Sequence, residues 1–500
     1  MQKGKVKIVG AGIGSEDLIT IKAKESLQWA DVIIYDRLLN ENLIKPYILE
    51  KETYYAGKKA KDHYLTQDEI NNLIVEKAKS GKNVVRLKGG DPYVFGRGAE
   101  EAEILLKNGI EFEIIPGLTS GVVSLMYAGI PVTHRDASTS VSFITGHRKA
   151  GETENFRQYA KLDGTLVFYM GLGNIENITN ELILGGMSKD KLAAVISNGA
   201  YPNQRVLVST VKDIASEIKN LNFETPALIV IGDVIKYRDR LNFYEKLPLF
   251  GKNVVITRAR TQISKLSKKL SELGANVIEA PAIEIKETID ENFLNEIKNF
   301  KNLNFTHLVF HSVNGIEIFM KYFLKYNDIR DLPKTICTIG KASYKTLAKY
   351  GIKADIVPEN YIGEDLIEEL KRDISNSAAK IMIPHSALSR DKLLKEYKNL
   401  GELHEHSIYT SIVPIERTEL PKNIDYILFT SSSTVKNFKK LYEDFDLENK
   451  KIISIGPITS MAIEKQGLKL YRQSDEATIE SMVKCIKEDV KIANAKIETE

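Results

Sequence analysis

The stretch RLKGGDPYVFGRGAEE, residues 86–101, stands between two segments of different periodicity. The segment before it, KNVVRL (82–87), is a short apolar run that is typical of a buried strand. The segment after it, GAEEAEILLKNG (98–109), has the spacing of an amphipathic helix. The stretch therefore predicts a strand that passes through a glycine-rich turn into a helix, which is the repeating unit of an α/β fold.

The turn itself is KGGDP, in which Gly89 and Gly90 leave the main chain bare where the strand ends. Exposed N–H and C=O groups there can hold both ends of an amino-acid-like ligand. Asp91 can pair with a cationic group of such a ligand, and Pro92 stiffens the turn. An ordinary strand-to-helix turn has the same composition, so both interpretations stay open at this point.

The same alternation of strand and helix continues through the first 240 residues. Short runs rich in Val and Ile are separated by segments of helical period, which predicts an α/β fold with mostly parallel strands. Most of these runs end in Gly, Asp or Pro, and α/β folds bind ligands in the loops at the carboxyl ends of their strands. The strand candidates are residues 5–12, 31–36, 83–89, 111–117, 141–147, 165–171, 192–199 and 226–234.

The composition is that of an ordinary globular protein. The 500 residues carry 70 Lys+Arg and 67 Asp+Glu, and the net charge of +3 gives no support for binding to nucleic acid. Cys337 and Cys485 lie far apart, so we expect neither a disulfide framework nor a cysteine metal site, as in a reducing cytoplasm. We expect no signal peptide, because the first residues enter a strand without a long apolar stretch, and no run approaches the ~18 apolar residues of a membrane span.

The second half of the chain contains an internal repeat. Residues 238–250 break the rhythm of the first half, which places a boundary near 245–250. HLVFHSVNGIEIFMKYF (307–323) is echoed by DYILFTSSSTVKNFKKLY (425–442), and further similar pairs interleave with this one. Two interleaved copies predict two lobes with a cleft between them, in which the chain starts in one lobe, builds the other and returns. The expected domains are 1–245 and 250–489, the latter with lobes of 251–284 plus 415–489 and 287–412, followed by a polar tail over 490–500.

The loop GAGIG (10–14) after the first strand allows two interpretations. A dinucleotide-binding loop has the spacing GxGxxG and an acidic residue at the end of the next strand. Asp36 does end the second strand, but Ser15 stands where the third glycine belongs. A tight turn that lets a helix pack closely explains these glycines without a nicotinamide cofactor, and it is preferred for the loop taken alone.

Five blocks are distributed over the first half of the chain. They are VGAGIGSEDLITIKAKESLQWADVIIYDRLL, GKKAKDHYLTQDEI, RLKGGDPYVFGRGAEE, IPGLTSGVVSLMYAGIPVTHR and TLVFYMG. In order and spacing these blocks resemble the uroporphyrinogen-III C-methyltransferase family, and the resemblance covers nearly all of residues 3–240. The resemblance implies the two α/β lobes of the tetrapyrrole methyltransferase fold, with S-adenosylmethionine in the cleft between them. The family usually has GAGPGD where this chain has GAGIGS, so the loop lacks a rigid proline. The implied cofactor-binding residues are Ile13, Gly89, Gly90, Asp91, Val94, Thr119, Ser120, Met170 and Gly199.

The same resemblance implies the groups that act on the tetrapyrrole. An electron-rich pyrrole carbon accepts a methyl group with little activation, so the enzyme has to orient two reactants and move a proton. Asp36 resembles the proton acceptor of the family and Lys58 its proton donor, while Arg97 and Glu100 stand where the family holds the tetrapyrrole. A solvated surface is the simpler explanation of most other cations. Those that could bind substrate carboxylates are Arg37, Lys59, His134 and Arg135.

Composition identifies no catalytic constellation in the second half. His404 and His406 lie two residues apart on a predicted strand, hence on one face, where a solvated edge is a simpler explanation than a metal site. Hydroxyl groups at strand ends, with main-chain amides beside them, could bind substrate carboxylates. Helix N-caps explain Ser312, Ser432 and Thr459 equally well. The hydroxyl residues in question are Thr257, Ser312, Ser386, Thr430, Ser431, Ser432 and Thr459.

Seven motifs are spread over residues 251–489. They are VVITRA, FHSVNGIEIF, TIGKASYKTLAKYG, SRDKLLKEYKNLG, IYTSI, ILFTSSSTVKNF and SIGPITSMAIEKQGL. These motifs resemble the uroporphyrinogen-III synthase family, which has two flavodoxin-like lobes. That family closes hydroxymethylbilane while inverting its last pyrrole ring, which needs conformational control more than strong acids or bases. The resemblance implies that Tyr409 assists the departure of water, and the family's usual Thr-Ser is His311-Ser312 here.

Together the two resemblances predict one bifunctional enzyme, because the product of the second half is the substrate of the first. It would close hydroxymethylbilane to uroporphyrinogen III and methylate this twice to precorrin-2, on the branch to sirohaem and cobalamin. One alternative makes the second half a non-catalytic tetrapyrrole-binding module. Another is a methyltransferase for a different precorrin, RNA or diphthamide, against which the YDRL and GIPVTHR blocks argue. The resemblance further implies a homodimer formed through the methyltransferase half.

Overall fold

The computed structural model divides the chain into two compact units. The first unit takes Met1–Asn253, Lys269–Asn276 and Lys487–Glu500, and the second takes Val254–Lys268 and Val277–Ile486. None of the helices among the described residues combines the length and the apolar character that a membrane span requires. The described residues are 3–40, 43–48, 50–57, 65–147, 155–221, 223–258, 260–358, 363–374, 379–387 and 391–497.

The first unit begins with a parallel sheet of five strands. Its elements are β1 (Val6–Gly10), α1 (Ile21–Trp29), β2 (Val32–Tyr35), α2 (Lys45–Ile48), β3 (Glu52–Tyr55), α3 (Gln67–Lys79), β4 (Val84–Lys88), α4 (Gly98–Lys107) and β5 (Phe112–Ile115). The strand order is β3-β2-β4-β1-β5, and every pairing is parallel. β4 lies at the centre of this sheet, and all five of its residues are buried. The apolar character of its run predicts this for Val84, Val85 and Leu87.

The second sheet of the first unit has mixed strand directions. Its elements are α5 (Ser120–Tyr127), β6 (Val141–Thr145), β7 (Thr165–Tyr169), α6 (Ile175–Leu184), β8 (Leu192–Ser197), β9 (Arg205–Thr210), α7 (Ile214–Lys219), β10 (Ala227–Ile231) and α8 (Arg238–Leu241). The strand order is β6-β7-β10-β8-β9, in which β6 and β7 are parallel and the other neighbours are antiparallel. The expectation of mostly parallel strands is therefore wrong for this sheet. A short connection such as residues 198–204 reverses the chain, whereas parallel neighbours need a longer crossover.

Two strands of the first unit, β3 and β9, are not among the predicted ones. Both lie at an edge of their sheet, and neither contains a buried residue. An edge strand has a neighbour on one side and remains partly exposed, so its sequence need not be a continuous apolar run. The pattern that identifies the buried strands is therefore absent from ETYY and RVLVST.

The rest of the chain forms two further sheets, one of which it leaves and later re-enters. It opens this sheet with β11 (Asn253–Ile256), α9 (Arg260–Glu272) and β12 (Asn276–Glu279). It then builds the other sheet from β13 (Glu284–Glu287), α10 (Glu291–Lys298), α11 (Phe300–Leu303), β14 (His307–Phe310), α12 (Val313–Phe323), β15 (Thr335–Thr338), α13 (Lys341–Ala348), α14 (Gly363–Asp373), β16 (Ala379–Ser386), α15 (Asp391–Lys398) and β17 (Gly401–Ile412). It returns with β18 (Tyr426–Phe429), α16 (Ser432–Leu441), β19 (Lys451–Ser454), α17 (Pro457–Lys465), β20 (Leu470–Gln473) and α18 (Ile479–Ile497).

This path produces a lobe around each of the two sheets. The strand orders are β12-β11-β18-β19-β20 and β13-β17-β16-β14-β15. β11 pairs in parallel with β18, which joins the first and last parts of this half of the chain. The predicted α/β architecture, with two lobes in each half, is confirmed. The tail predicted over 490–500 is helical as far as Ile497.

Candidate active sites

The glycine loops of the first unit touch one another through their main chains. The amide of Gly12 donates to the carbonyl oxygen of Gly90 at 3.1 Å, and the amide of Gly90 donates to the carbonyl oxygen of Gly12 at 2.9 Å. A Cβ on Gly117 would lie 2.2 Å from the carbonyl oxygen of Gly90, and one on Gly10 would lie 2.5 Å from the amide nitrogen of Gly117. The loops after β1, β4 and β5 therefore pack so closely at the carboxyl edge of the sheet that these positions exclude a side chain.

Asp91 ties two of these loops together. Its Oδ1 accepts a hydrogen bond from the amide of Tyr93 at 2.8 Å, and its Oδ2 accepts one from the amide of Gly117 at 3.1 Å. Gly90 beside it has a φ of 65°. A Cβ on Gly90 would lie 3.9 Å from the amide nitrogen of Ser120, in the space beside the start of α5. The loops thus form a cradle of bare main chain that a side chain would fill, and such a cradle suits a ligand with an amino-acid moiety.

Helix α5 connects this edge to the second sheet of the unit. The hydroxyl of its N-cap residue Thr119 lies 2.7 Å from the phenol oxygen of Tyr169, and the same oxygen accepts a hydrogen bond from the amide of Gly121 at 2.7 Å. Further along the helix, a Cβ on Gly199 would lie 2.3 Å from the side chain of Ser124. The loops after β7 and β8 are therefore brought beside the same helix as the glycine loops.

The other predicted cofactor residues take places around the same edge. Ile13 is half-buried in the loop after β1. A Cβ on Gly89 would lie 2.8 Å from the carbonyl oxygen of Leu38, and Val94 packs against an apolar cluster that contains Tyr169. Eight of the nine predicted cofactor residues thus lie on the loops that follow β1, β4, β5, β7 and β8, and the ninth, Ser120, is the first residue of α5.

Backbone strain is concentrated on these loops. Phe95, Arg97, Met170, Asn198 and Ala200 have φ angles of 52°, 60°, 55°, 49° and 64°. This left-handed region is unfavourable for residues other than glycine. Residues that nevertheless adopt it cluster at functional sites. The seven residues of this kind in the described part of the chain include these five, which supports a site at this edge.

Asp36, directly after β2, is backed by a cluster of buried charges. Nη2 of Arg86 lies 2.7 Å from Oδ1 of Asp36, and Nε of Arg86 lies 3.1 Å from Oε1 of Glu101. Nζ of Lys88 lies 2.9 Å from the same oxygen of Glu101 and 3.9 Å from Oδ2 of Asp36. The Arg86, Lys88 and Glu101 side chains are 2%, 5% and 0% exposed. The Asp36 side chain is 28% exposed, so it is the member of the cluster that a substrate can reach.

Arg86, Lys88 and Glu101 are not among the predicted site residues, although their sequence contains a signal. Arg86 and Lys88 alternate with apolar residues on β4, which places both cations on one face of a central strand. Cations are rarely buried unless an anion pairs with them, so the pattern VVRLK indicates a buried partner. Burial is the main cause that lowers the pKa of Lys88, and the charge of Arg86 is the second. The carboxylate of Glu101 opposes this effect.

Arg97 and Glu100 form an exposed pair at the start of α4. Nη2 of Arg97 lies 2.6 Å from Oε2 of Glu100, and the side chains are 52% and 54% exposed. The hydrogen bond to Glu100 raises the pKa of Arg97, which therefore stays cationic. Lys58 and Lys59, which the sequence analysis assigns to proton donation and substrate binding, lie outside the described residues.

The other predicted substrate cations that the structure describes are Arg37, His134 and Arg135, and they lie in two different connections of the first unit. Arg37 is exposed and adjacent to Asp36 in the chain. The His134 ring stacks on Tyr237 with ring centroids 4.0 Å apart, and Arg135 beside it is exposed. Arg37 therefore lies in the connection between β2 and α2, whereas His134 and Arg135 lie in the connection between α5 and β6.

In the second unit, Tyr409 of β17 meets the loop after β14. Its phenol oxygen lies 2.7 Å from Oγ of Ser312, which also caps α12 by accepting a hydrogen bond from the amide of Gly315 at 3.0 Å. Burial raises the pKa of Tyr409, and hydrogen bonds with Ser312 and Ser386 oppose this effect. The phenol therefore keeps its proton at neutral pH and can donate it.

His311, next to Ser312, contacts a second buried tyrosine. Its Nε2 lies 3.0 Å from the phenol oxygen of Tyr397. Burial, with a smaller effect of the neighbouring His385, lowers the pKa of His311 to about 4. An uncharged imidazole therefore stands here at neutral pH, beside the Tyr409–Ser312 pair. Neither Tyr397 nor His385 is among the predicted site residues, because nothing in their local sequence indicates this contact.

Two of the predicted substrate-binding hydroxyls lie in the protein core. Thr257 is fully buried, and its hydroxyl donates to the carbonyl oxygen of Leu428 at 2.9 Å. Thr459 is 4% exposed inside α17, whose N-cap is Gly456. Both differ from the expectation of hydroxyls that face a substrate, and the N-cap interpretation of Thr459 is wrong as well. Strand ends are recognisable from the sequence, but the direction of a side chain there depends on packing.

The hydroxyl residues after β18 form a helix cap. Ser431 is the N-cap of α16 and accepts a hydrogen bond from the amide of Thr434 at 3.3 Å. The N-cap interpretation of Ser432 is therefore wrong by one residue. Thr430 is half-buried between the strand and the cap.

His404 and His406 contact Glu296 of α10. Nδ1 of His404 lies 3.0 Å from Oε1 of Glu296, and Nε2 of His406 lies 2.9 Å from Oε2 of the same residue. The histidine side chains are 17% and 4% exposed, so the expectation of a solvated edge is wrong. No group of three or more His, Cys, Asp or Glu among the described residues could hold a metal ion.

Comparison with known proteins assigns each half of the chain to a family. Residues 5–215 match the family model of Tetrapyrrole (Corrin/Porphyrin) Methylases, and residues 264–484 match that of Uroporphyrinogen-III synthase HemD. The "Porphyrin biosynthesis protein HemD" of Ruminiclostridium josui is 36% identical over 495 residues, with 97% of each chain covered. A "Uroporphyrinogen-III C-methyltransferase" of Bacillus subtilis (strain 168) is 35% identical over 442 residues, which cover 81% of this chain and 90% of that protein.

Among solved structures, the uroporphyrin-III C-methyl transferase of Thermus thermophilus complexed with S-adenosylhomocysteine is 35% identical to the chain. The TM-score is 0.41, with 47% of this chain and 99% of that chain covered. Both halves have a matching family model, and the Ruminiclostridium relative is similar over nearly the whole length. The chain therefore belongs to the tetrapyrrole-biosynthesis enzymes that join a tetrapyrrole methylase half to a uroporphyrinogen-III synthase (HemD) half.

Proposed function

We propose that residues 250–489 close hydroxymethylbilane to uroporphyrinogen III and that residues 1–245 methylate this product twice, giving precorrin-2. The observation that supports the proposal is the presence of both families in one chain. The ring that one family closes is the ring that the other methylates. The reaction would serve the branch to sirohaem and cobalamin, in the cytoplasm, and the enzyme would act as a homodimer formed through its methyltransferase half.

The methyl donor is S-adenosylmethionine, which supplies an electrophilic methyl group on its sulfonium when it is bound. The cradle between Gly90 and Ser120 suits its amino-acid moiety, because bare main chain offers donors to a carboxylate and acceptors to an ammonium group. Asp91 borders this cradle and already orders it through the amides of Tyr93 and Gly117. The residues that would hold the donor are Ile13, Gly89, Gly90, Asp91, Val94, Thr119, Ser120, Met170 and Gly199.

We assign the proton transfer of the methylation to Asp36 and the binding of the tetrapyrrole to Arg97. The Asp36 carboxylate is the partly exposed member of its charge cluster and can accept a proton from the macrocycle. The exposed guanidinium of Arg97 can bind a substrate carboxylate through two N–H groups, while Glu100 fixes its direction. Lys58 as proton donor stays a prediction.

We assign the loss of water from hydroxymethylbilane to Tyr409. The departing hydroxyl group leaves as water only if its oxygen receives a proton, and the phenol of Tyr409 can supply one through a hydrogen bond. Ser312 holds the phenol oxygen at 2.7 Å and so fixes its direction. The remaining contribution is the folding of the linear substrate, which brings the correct carbon atoms together.

The test supplies hydroxymethylbilane and S-adenosylmethionine to the full chain and follows the product by absorbance and chromatography. We expect a dimethylated isobacteriochlorin-type chromophore. When the methyl donor is omitted, we expect uroporphyrinogen III in clear excess over the symmetrical isomer that forms by unassisted closure.

Two other outcomes would contradict parts of the proposal. If only the symmetrical isomer forms, while added uroporphyrinogen III is still methylated, the second half is a non-catalytic tetrapyrrole-binding module. If uroporphyrinogen III accumulates without methylation in the presence of the donor, the first half acts on a different acceptor.

A further inference from the structure

We propose that Arg86 is the positioning residue for Asp36 and holds its carboxylate in the orientation in which it accepts a proton. The inference rests on the proposed function, in which Asp36 carries out the proton transfer of the methylation. Its basis is the bond from Nη2 of Arg86 to Oδ1 of Asp36, 2.7 Å long, together with the way in which the rest of the guanidinium is fixed.

Arg86 is held in place independently of Asp36. It lies on the central strand β4 with its side chain 2% exposed, and its Nε donates to Oε1 of Glu101 at 3.1 Å. The same oxygen accepts hydrogen bonds from Nζ of Lys88 at 2.9 Å and from Nε2 of Gln67 at 3.1 Å. Residues of α3 and α4 therefore both help to fix Arg86 in place. Because the guanidinium is planar and its Nε is tied to Glu101, its Nη2 meets Asp36 in one fixed direction.

Stability alone is a weak reason for such a cluster. Burying charged groups costs desolvation energy that their pairing at best repays, and apolar side chains of similar size often stabilise as well or better. The pairing is also incomplete, since Oε2 of Glu101 is buried and has no hydrogen-bond partner among the described residues. The cluster reaches solvent at Asp36, which is 28% exposed. A rigid support behind one accessible carboxylate is the arrangement that an oriented proton acceptor requires.

Removal of Arg86 would allow the Asp36 carboxylate to rotate. A misplacement of about 1 Å can cost about 10²-fold in rate, so we expect Arg86→Met to lower kcat for methylation of supplied uroporphyrinogen III by about that factor. Because Arg86 does not face the substrate, KM should change little. Arg86→Lys keeps the charge but can reach only one of the two carboxylates, so we expect it to restore part of the rate.

A double-mutant cycle distinguishes positioning from a general structural effect. If Arg86 acts through Asp36, Arg86→Met adds nothing to Asp36→Ala, and the double variant is as slow as Asp36→Ala alone. Independent effects would multiply instead. Binding of S-adenosylhomocysteine by calorimetry reports whether each variant retains its fold. Arg86→Met leaves the two carboxylates of Asp36 and Glu101 with a single cation, Lys88. The double variant Arg86→Met with Glu101→Gln removes one carboxylate as well, so that the charges stay balanced. Its kcat repeats the test in a charge-balanced form.

Arg238→Met is the matched control. Arg238 lies in the same unit and pairs with Glu245 at 2.7 Å, with side chains 15% and 18% exposed, so its loss should lower stability without lowering kcat. An Arg86→Met or charge-balanced variant with wild-type kcat would overturn the inference, as would effects that multiply with those of Asp36→Ala. Loss of S-adenosylhomocysteine binding in both forms would make Arg86 a structural residue and would overturn it too.

The Asp36→Ala variant separates this inference from the proposed function. If Asp36→Ala methylates at the wild-type rate, the role of Asp36 fails, and the inference about Arg86 fails with it. If Asp36→Ala is slow while Arg86→Met is not, the inference alone fails.

Discussion

The His311 side chain illustrates how strongly the fold changes the chemistry of a single residue. Burial, helped by the neighbouring His385, lowers its pKa from the ordinary value of 6.5 to about 4. Its Nε2 lies 3.0 Å from the phenol oxygen of Tyr397, so the uncharged ring has a partner inside the protein. The unfolded chain has no such environment and therefore binds a proton at higher pH than the folded chain does.

This difference predicts that His311 makes the protein sensitive to acid. Its contribution to stability is complete above pH 6.5 and is lost as the pH falls from there toward about 4. His311→Gln can keep a hydrogen bond with Tyr397 but does not titrate. We therefore expect the wild-type melting temperature, measured by calorimetry, to fall more between about pH 7 and pH 5 than that of the variant. His147→Gln, which changes an exposed histidine, is the control, and an equal fall in wild type and His311→Gln would contradict the prediction.

At the scale of elements, the start of α12 combines a structural and a chemical task in Ser312. Its hydroxyl accepts the hydrogen bond that caps the helix and contacts Tyr409. Ser312→Ala should lower the free energy of unfolding by about 1 kcal/mol through the lost cap. It should also lower the fraction of uroporphyrinogen III among the closed products, because the phenol of Tyr409 loses the partner that directs it.

Asp290→Ala provides a control for the cap alone. Asp290 is the N-cap of α10 in the same lobe and accepts a hydrogen bond from the amide of Phe293 at 2.8 Å. We expect a similar loss of stability and an unchanged isomer ratio. If Ser312→Ala and Asp290→Ala give the same isomer ratio by chromatography, the cap accounts for Ser312 and the contact with Tyr409 does not matter.

The close approach of the glycine loops predicts the effect of a single added methyl group. The Cβ of Gly117→Ala would lie 2.2 Å from the carbonyl oxygen of Gly90, which is main chain and has to move. Such overpacking costs about 1–3 kcal/mol, and the displaced loop should bind S-adenosylhomocysteine more weakly by calorimetry. Gly173→Ala is the control, since nothing lies within 4 Å of an added Cβ there. Unchanged binding in Gly117→Ala would show that the cradle is elsewhere.

The sequence predicts buried elements better than edges and better than strand direction. The run that forms β4 is recognisable from its short series of apolar residues, Val84, Val85 and Leu87, whereas the edge strands β3 and β9 contain no buried residue. The antiparallel pairs around β10 depend on how short connections return the chain, which strand composition does not encode. Loop positions for the predicted cofactor residues follow from the ends of the strands. Arg86 and Tyr397 are missed because their roles depend on partners far away in the sequence.

At the scale of the whole chain, the two proposed activities should be separable by single substitutions. Asp36→Asn should abolish methylation and leave the closure of hydroxymethylbilane unchanged, because Asp36 lies in the first unit. Tyr409→Phe removes the proton that we assign to the leaving water and should slow closure by roughly 10²-fold or more. Methylation of supplied uroporphyrinogen III should stay at the wild-type rate in Tyr409→Phe.

Product analysis with each substrate in turn checks this pattern. Uroporphyrinogen III should accumulate in Asp36→Asn when hydroxymethylbilane and methyl donor are present. Simultaneous loss of both activities in either variant would mean that the substitution disturbs folding or that the two halves do not act independently.

The leave-and-return path of the second half has a consequence for the protein as the ribosome makes it. All strands of the sheet formed by β13 to β17 have been synthesised once residue 412 is added, but β11 still lacks its neighbour β18 at Tyr426–Phe429. A nascent chain in which residue 412 has left the ribosome but Tyr426–Phe429 has not carries one finished lobe and one strand with an unpaired edge, which is a template for pairing with other chains. Delays in translation over this interval should therefore favour aggregation more than delays after β18 has paired with β11.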